Sequence, residues 1–143
     1  MKPDDLYGLP LKEFAPERTE LVKQLRKAGK RDEAAAAAKL PKPTVAAWAA
    51  NQVLRTQRKE ARELFAAGDA LGKANAAKLR DAIARQRDAV NALLDAARGL
   101  LDPDGRGLSD TTLERVQETL NAASLDPEPV SYTHLTLPTN REV

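Results

Sequence analysis

Pro41, Pro43 and Thr44, followed by the single tryptophan at position 48, constrain the fold more than any other stretch of this chain. Each proline lacks a backbone N–H and holds the residue before it extended, so no helix can run through this point. Thr44 is a good N-cap, because its hydroxyl accepts a free N–H of the first helical turn. A helix must therefore start here. On it Val45, Trp48, Ala49, Gln52 and Val53 share one face at i, i+3, i+4 and i+7 spacing. Only 3% of the chain is aromatic, so Trp48 is the expected structural hub, with Tyr7, Phe14 and Val45 beside it.

The other elements follow from the same signals and predict an all-α fold, a small helical bundle. Asp5-Leu6-Tyr7-Gly8-Leu9-Pro10-Leu11 reads as a compact apolar turn that packs as a cap on the bundle. Pro16 suits the first turn of a helix that reaches about residue 28, with Phe14, Leu21, Val22 and Leu25 inward and Gly29 stopping it. A short helix follows from about residue 31 to 39, with Asp32 and Glu33 at its positive end. After a polar bend at 55–62, the spacing favours one long helix from about residue 58 to 101. Its second half, Leu79, Ile83, Gln86, Val90, Leu93, Ala97 and Leu100, alternates steps of four and three like a coiled-coil seam. Leu64, Gly68, Leu71 and Asn75 extend the stripe upstream with a stutter. The expectation is a continuous helix bent near Gly72, on which the bundle is organised; the alternative is a break between Gly72 and Ala77. Ser109 caps a last helix to about residue 123, with Leu108 and Leu113 as a hydrophobic staple.

A chain of 143 residues suits one helical domain, expected over 1–129. Much of the 42% hydrophobic content is alanine, which buries little area. A thin core on long helices calls for a protein partner, the missing C-terminal part of the same chain, or a second copy in a homo-oligomer. No stretch approaches the ~20 apolar residues of a membrane span, and the N-terminus lacks the apolar run of a signal peptide. The absence of cysteine fits a reducing compartment, so the chain is expected in the cytoplasm. With 23 basic against 21 acidic residues interleaved along the helices, the overall field is weak.

Two motifs and the tail carry resemblances. The pattern at 5–11 and the Lys-Pro-Thr-Val-Ala-Ala-Trp-Ala-x-Asn-Gln pattern at 42–52, joined by a helix carrying Phe14, Arg18, Leu21, Leu25 and Arg26, resemble a family of uncharacterised actinobacterial proteins. The resemblance implies a longer helical parent and no known activity. Residues 130–139 resemble, codon for codon, the translated end of a transposase-type sequencing adaptor. Pro129 supplies the expected flank, and Asn140-Arg141-Glu142-Val143 fits the adaptor's continuation. On that reading residues 130–143 are an artefact and belong to neither fold nor function. His134, the only histidine, lies inside them, so the genuine segment has neither His nor Cys and lacks the usual triads and transition-metal ligands.

The remaining chemistry is sparse. Asp102, Asp104, Gly107 and Asp110 imitate positions of an EF-hand, but Arg106 and the register of Glu114 spoil calcium closure. The stretch 36–48 imitates a helix-turn-helix, yet its second helix opens with alanines that cannot bond base edges. Arg55, Arg58, Lys59 and Arg62, or Lys23, Arg26, Lys27, Lys30 and Arg31, could meet phosphates, though acidic neighbours dilute both sets. Every Asp and Glu has a surface, cap or turn explanation, so no catalytic residue, metal or cofactor is expected. The reading that remains is a non-catalytic helical scaffold or protein-interaction module, with Trp48, Asn51, Gln52 and Arg55 as the partner-binding residues. A nucleic-acid binder is the alternative.

Overall fold

Prolines, glycines and capping side chains set several of the helix limits. A computed structural model of the protein describes residues 2–126. Two 3-10 turns, Pro3–Gly8 and Leu11–Glu13, precede α1 (Phe14–Lys27), α2 (Arg31–Ala38), α3 (Val45–Thr56), α4 (Arg58–Lys73), α5 (Leu79–Ala97) and α6 (Asp110–Ser124). The fold is all-α, and the described residues form no sheet beyond one isolated bridge between Leu101 and Gly107. Gly29, at φ 78°, ends α1 in a Schellman motif: Lys30 N–H reaches Leu25 O at 2.9 Å and Gly29 N–H reaches Arg26 O at 3.1 Å. Thr44 caps α3 by accepting Ala47 N–H at 3.1 Å, and Ser109 caps α6 through Thr112 N–H at 3.1 Å. Readings that fall on residues 127–143, the adaptor-like tail among them, lie outside the described residues.

The expected long helix is two helices. α4 ends at Lys73, Ala74 turns extended at ψ 135°, and the Asn75 side chain accepts Lys78 N–H at 3.1 Å to open the turn into α5. Asparagine competes with the helix for its own backbone and favours such caps. Burial favours the break as well. A continuous helix over 58–101 would be roughly 66 Å long, far beyond the reach of the other elements. Folding back lets Ala61, Leu64, Ala67 and Gly68 of α4 bury beside Ala82, Ala89, Val90 and Leu93 of α5.

The bundle is therefore not organised on one long helix. Its centre is α3, packed on α4, α5, α6 and the N-terminal turn. The single inward face expected for α3 is too narrow, because Ala46, Ala47, Trp48, Ala49, Ala50, Asn51, Val53 and Leu54 are all buried. The four alanines let neighbours approach from every side. The main core joins α3 to α4, α5 and α6 through Trp48, Leu54, Leu64, Val90, Leu93, Val116 and Leu120. A second cluster gathers Leu6, Tyr7, Phe14, Leu21, Val22, Ala34 and Ala37 from the N-terminal turn, α1 and α2. Of the expected hub residues, Tyr7 and Phe14 belong to the second cluster, with ring centroids 5.4 Å apart, while Trp48 and Val45 belong to the first.

Glycine 68 marks the closest approach of two helices. A Cβ built on it would stand 1.6 Å from the Ser124 carbonyl oxygen, so α6 ends hard against the backbone of α4. On the α5 side the Ser124 hydroxyl accepts a hydrogen bond from Gln86 Nε2 at 2.7 Å and donates to Asn121 O at 2.7 Å. Gln86, the polar member of the α5 stripe, thereby fixes the register of α6 on α5.

Candidate functional site

The two family-like motifs fold against each other. Trp48 Nε1–H donates to Leu9 O at 2.9 Å, and Gln52 Nε2–H donates to Tyr7 O at 3.0 Å, so one face of α3 holds two carbonyls of the N-terminal segment. Arg55, one turn further on, lies over Gly8, where a Cβ would come within 2.9 Å of its Nη1. Asn51 is completely buried, and neither of its carboxamide atoms has a hydrogen-bond partner among the described residues. Trp48, Asn51, Gln52 and Arg55 were the residues expected to hold a partner. The structure gives that face to the chain's own N-terminal turn, and only 8% of Trp48 remains exposed.

The helix-turn-helix likeness at 36–48 does not survive folding. α3 is covered by α4, α5, α6 and the N-terminal turn, so it has no free face to lay in a major groove. At the EF-hand likeness, Asp102 Oδ1 accepts the N–H groups of Asp104 and Arg106, both at 2.9 Å, and Gly105 takes φ 80°. That carboxylate shapes the turn between α5 and α6.

Among the described residues, two open surfaces bear on binding. Along α5 the seam continues past Gln86 to Ile83 and Leu79, which are 45% and 43% exposed. Ser124 ends α6 opposite Gln86, so these two residues project one and two turns beyond the last helical residue that covers the seam. They border a shallow groove with Ala76, Ala84, Arg80 and Arg87.

The second surface lies between α1 and α2. A groove of about 560 Å³ is lined by Arg18, Thr19, Val22, Lys23, Arg26, Lys27 and Ala38, and Arg26 is shared with an adjoining hollow walled by Arg31 and Ala35. Among the described residues no carboxylate lines either one. At about 100° per residue Thr19, Lys23 and Arg26 fall within about 60° of arc, and Glu17 points about 180° from Arg26. Glu20, by contrast, falls about 60° from Lys23 and about 20° from Lys27, at the edge of the row. Lys23, Arg26, Lys27 and Arg31 are among the cations expected from sequence to meet phosphates; the fold adds the apolar Val22, Ala35 and Ala38 beside them.

Compared with known protein families, curated proteins and solved structures, the chain matches none.

Proposed function

We propose that the protein is a non-catalytic helical scaffold of the cytoplasm that takes up a helix of a protein partner along the N-terminal half of α5. The observation that carries this reading is the exposure of Leu79 and Ile83 in register with a seam that is buried from Val90 to Ala97. Apolar side chains continuing a packed seam into open solvent suit a further helix laid along the same line. The test is cross-linking in cells of the parent organism, comparing the wild-type chain with a Leu79→Glu, Ile83→Glu variant. A protein cross-linked to α5 in the wild type and lost in the variant supports the reading; equal recovery by both refutes it.

A nucleic-acid binder is the second reading, and the cations grouped along α1 favour it. Titration of a generic duplex against salt separates the two, because phosphate contacts give a steep fall of affinity with ionic strength. Tight binding with that slope would reverse the order.

A further inference from the structure

We infer that the α1–α2 groove is a second binding site, built for an acidic amphipathic helix supplied by a partner protein. The inference is independent of the α5 face, since it uses different helices. Lys23, Arg26, Lys27 and Arg31 are all exposed and form no ion pair among the described residues, whose ion pairs at Lys73–Asp69 and Arg98–Asp95 lie elsewhere. Arg18 is fixed in place: its Nη1–H donates to Leu40 O at 2.5 Å, and its guanidinium stands 5.6 Å from the centre of the Phe14 ring. One wall of the groove is therefore a row of cations, partly pre-set, that makes no ion pair with the exposed Glu20 at its edge among the described residues.

The shape of the groove decides which anion fits it. From Arg18 to Lys27 the cations span about 14 Å of helix, enough for two or three phosphates of a strand and hence only a weak, salt-sensitive hold on nucleic acid. No aromatic side chain lines the groove to stack a base. Its floor contains Val22 and Ala38, and Ala35 extends it on α2. A phosphate backbone would leave that floor uncovered. An amphipathic helix would cover it with its apolar positions and set Glu or Asp residues, spaced by three and four, against Lys23, Arg26 and Lys27, which have the same spacing.

The test uses a synthetic helical peptide with Leu and Ala on one face and Glu on its flanks, together with a Lys-flanked version, a generic duplex and anionic phospholipid vesicles. Binding to the full chain is measured by calorimetry at moderate salt. The Glu peptide is expected to bind, the Lys peptide to bind at least tenfold more weakly, and hydrogen exchange to slow at the α2 amides on binding. Lys23→Glu with Arg26→Glu should weaken the Glu peptide about 10- to 30-fold, since two attractions become two repulsions. Arg80→Glu with Arg87→Glu, on the α5 face, should leave it unchanged. Failure of the Glu peptide to bind, or equal loss in both double variants, overturns the inference. So does tighter binding of the duplex or the vesicles at the same residues, which would make the site one for phosphate.

Discussion

Replacing either glycine of α4 by alanine should give effects of opposite sign, four residues apart on one helix. Both changes gain helix propensity, worth up to about 1 kcal/mol. At Gly72 the new methyl meets nothing within 4 Å, so Gly72→Ala should stabilise by about 0.5–1 kcal/mol. At Gly68 the same methyl lands 1.6 Å from the Ser124 oxygen and 2.5 Å from its carbonyl carbon. Ordinary contact begins at 3.4 Å, so α6 must retreat by about 3.4 − 1.6 = 1.8 Å. The obstacle is backbone and cannot rotate aside. Retreat stretches the 2.7 Å Gln86–Ser124 hydrogen bond, at about 1 kcal/mol, and loosens the packing of Leu120 and Ala123, at about 1–3 kcal/mol. After the propensity gain, Gly68→Ala should destabilise by about 2 kcal/mol. The two variants should then melt roughly 10 °C apart on either side of the wild type, followed by far-ultraviolet circular dichroism with urea titration as a check. A Gly68→Ala variant as stable as the wild type would refute the close α4–α6 contact.

Three further outcomes can be measured by unfolding, fluorescence and melting. Asn51→Leu removes a fully buried carboxamide with no partner among the described residues and should raise stability by about 1 kcal/mol in urea unfolding; a loss of that size would mean the amide is bonded in solution. Gln52→Ala removes the bond to Tyr7 O and should cost about 1 kcal/mol while red-shifting the emission of the single tryptophan; an unchanged spectrum would separate Trp48 from the docking of the N-terminal turn. Deleting residues 130–143 should leave the melting temperature unchanged, and a fall of several degrees would show that the adaptor-like reading of those residues is wrong.

The helix limits were legible because they depend on local chemistry. Pro43 and Thr44 start α3, Gly29 stops α1 and Ser109 starts α6, each through chemistry that acts within one turn of the residue itself. The break between α4 and α5 was harder to read. Alanine, leucine and charged residues on both sides favour helix, and the stripe of Leu64, Leu71 and Leu79 runs through the gap without interruption. Gly68, Gly72 and Asn75 argue against continuity, and each is weak alone. What decides is non-local: two stripes that would lie along an exposed rod cover each other when the chain folds back. Helix propensity by itself counts Gly68 as a cost of about 1 kcal/mol in a helix interior, whereas its missing side chain is the space that Ser124 fills.

Trp48 shows how a sequence can single out a contact and leave its partner open. A lone tryptophan followed by Asn51, Gln52 and Arg55 on one helical face marks a place where something docks. The pattern cannot say whether the docked element comes from another molecule or from earlier in the same chain, because both present backbone carbonyls to an indole N–H and a carboxamide. Here the carbonyls belong to Tyr7 and Leu9, which makes the two motifs, more than thirty residues apart in sequence, a single structural unit. That unit joins the two hydrophobic clusters, since Tyr7 belongs to one and Trp48 to the other. With α3 enclosed, what stays exposed among the described residues includes the outer turns of the α5 seam and the cations of α1, legible in the sequence as a stripe and a basic run and given their setting by where the helices place them.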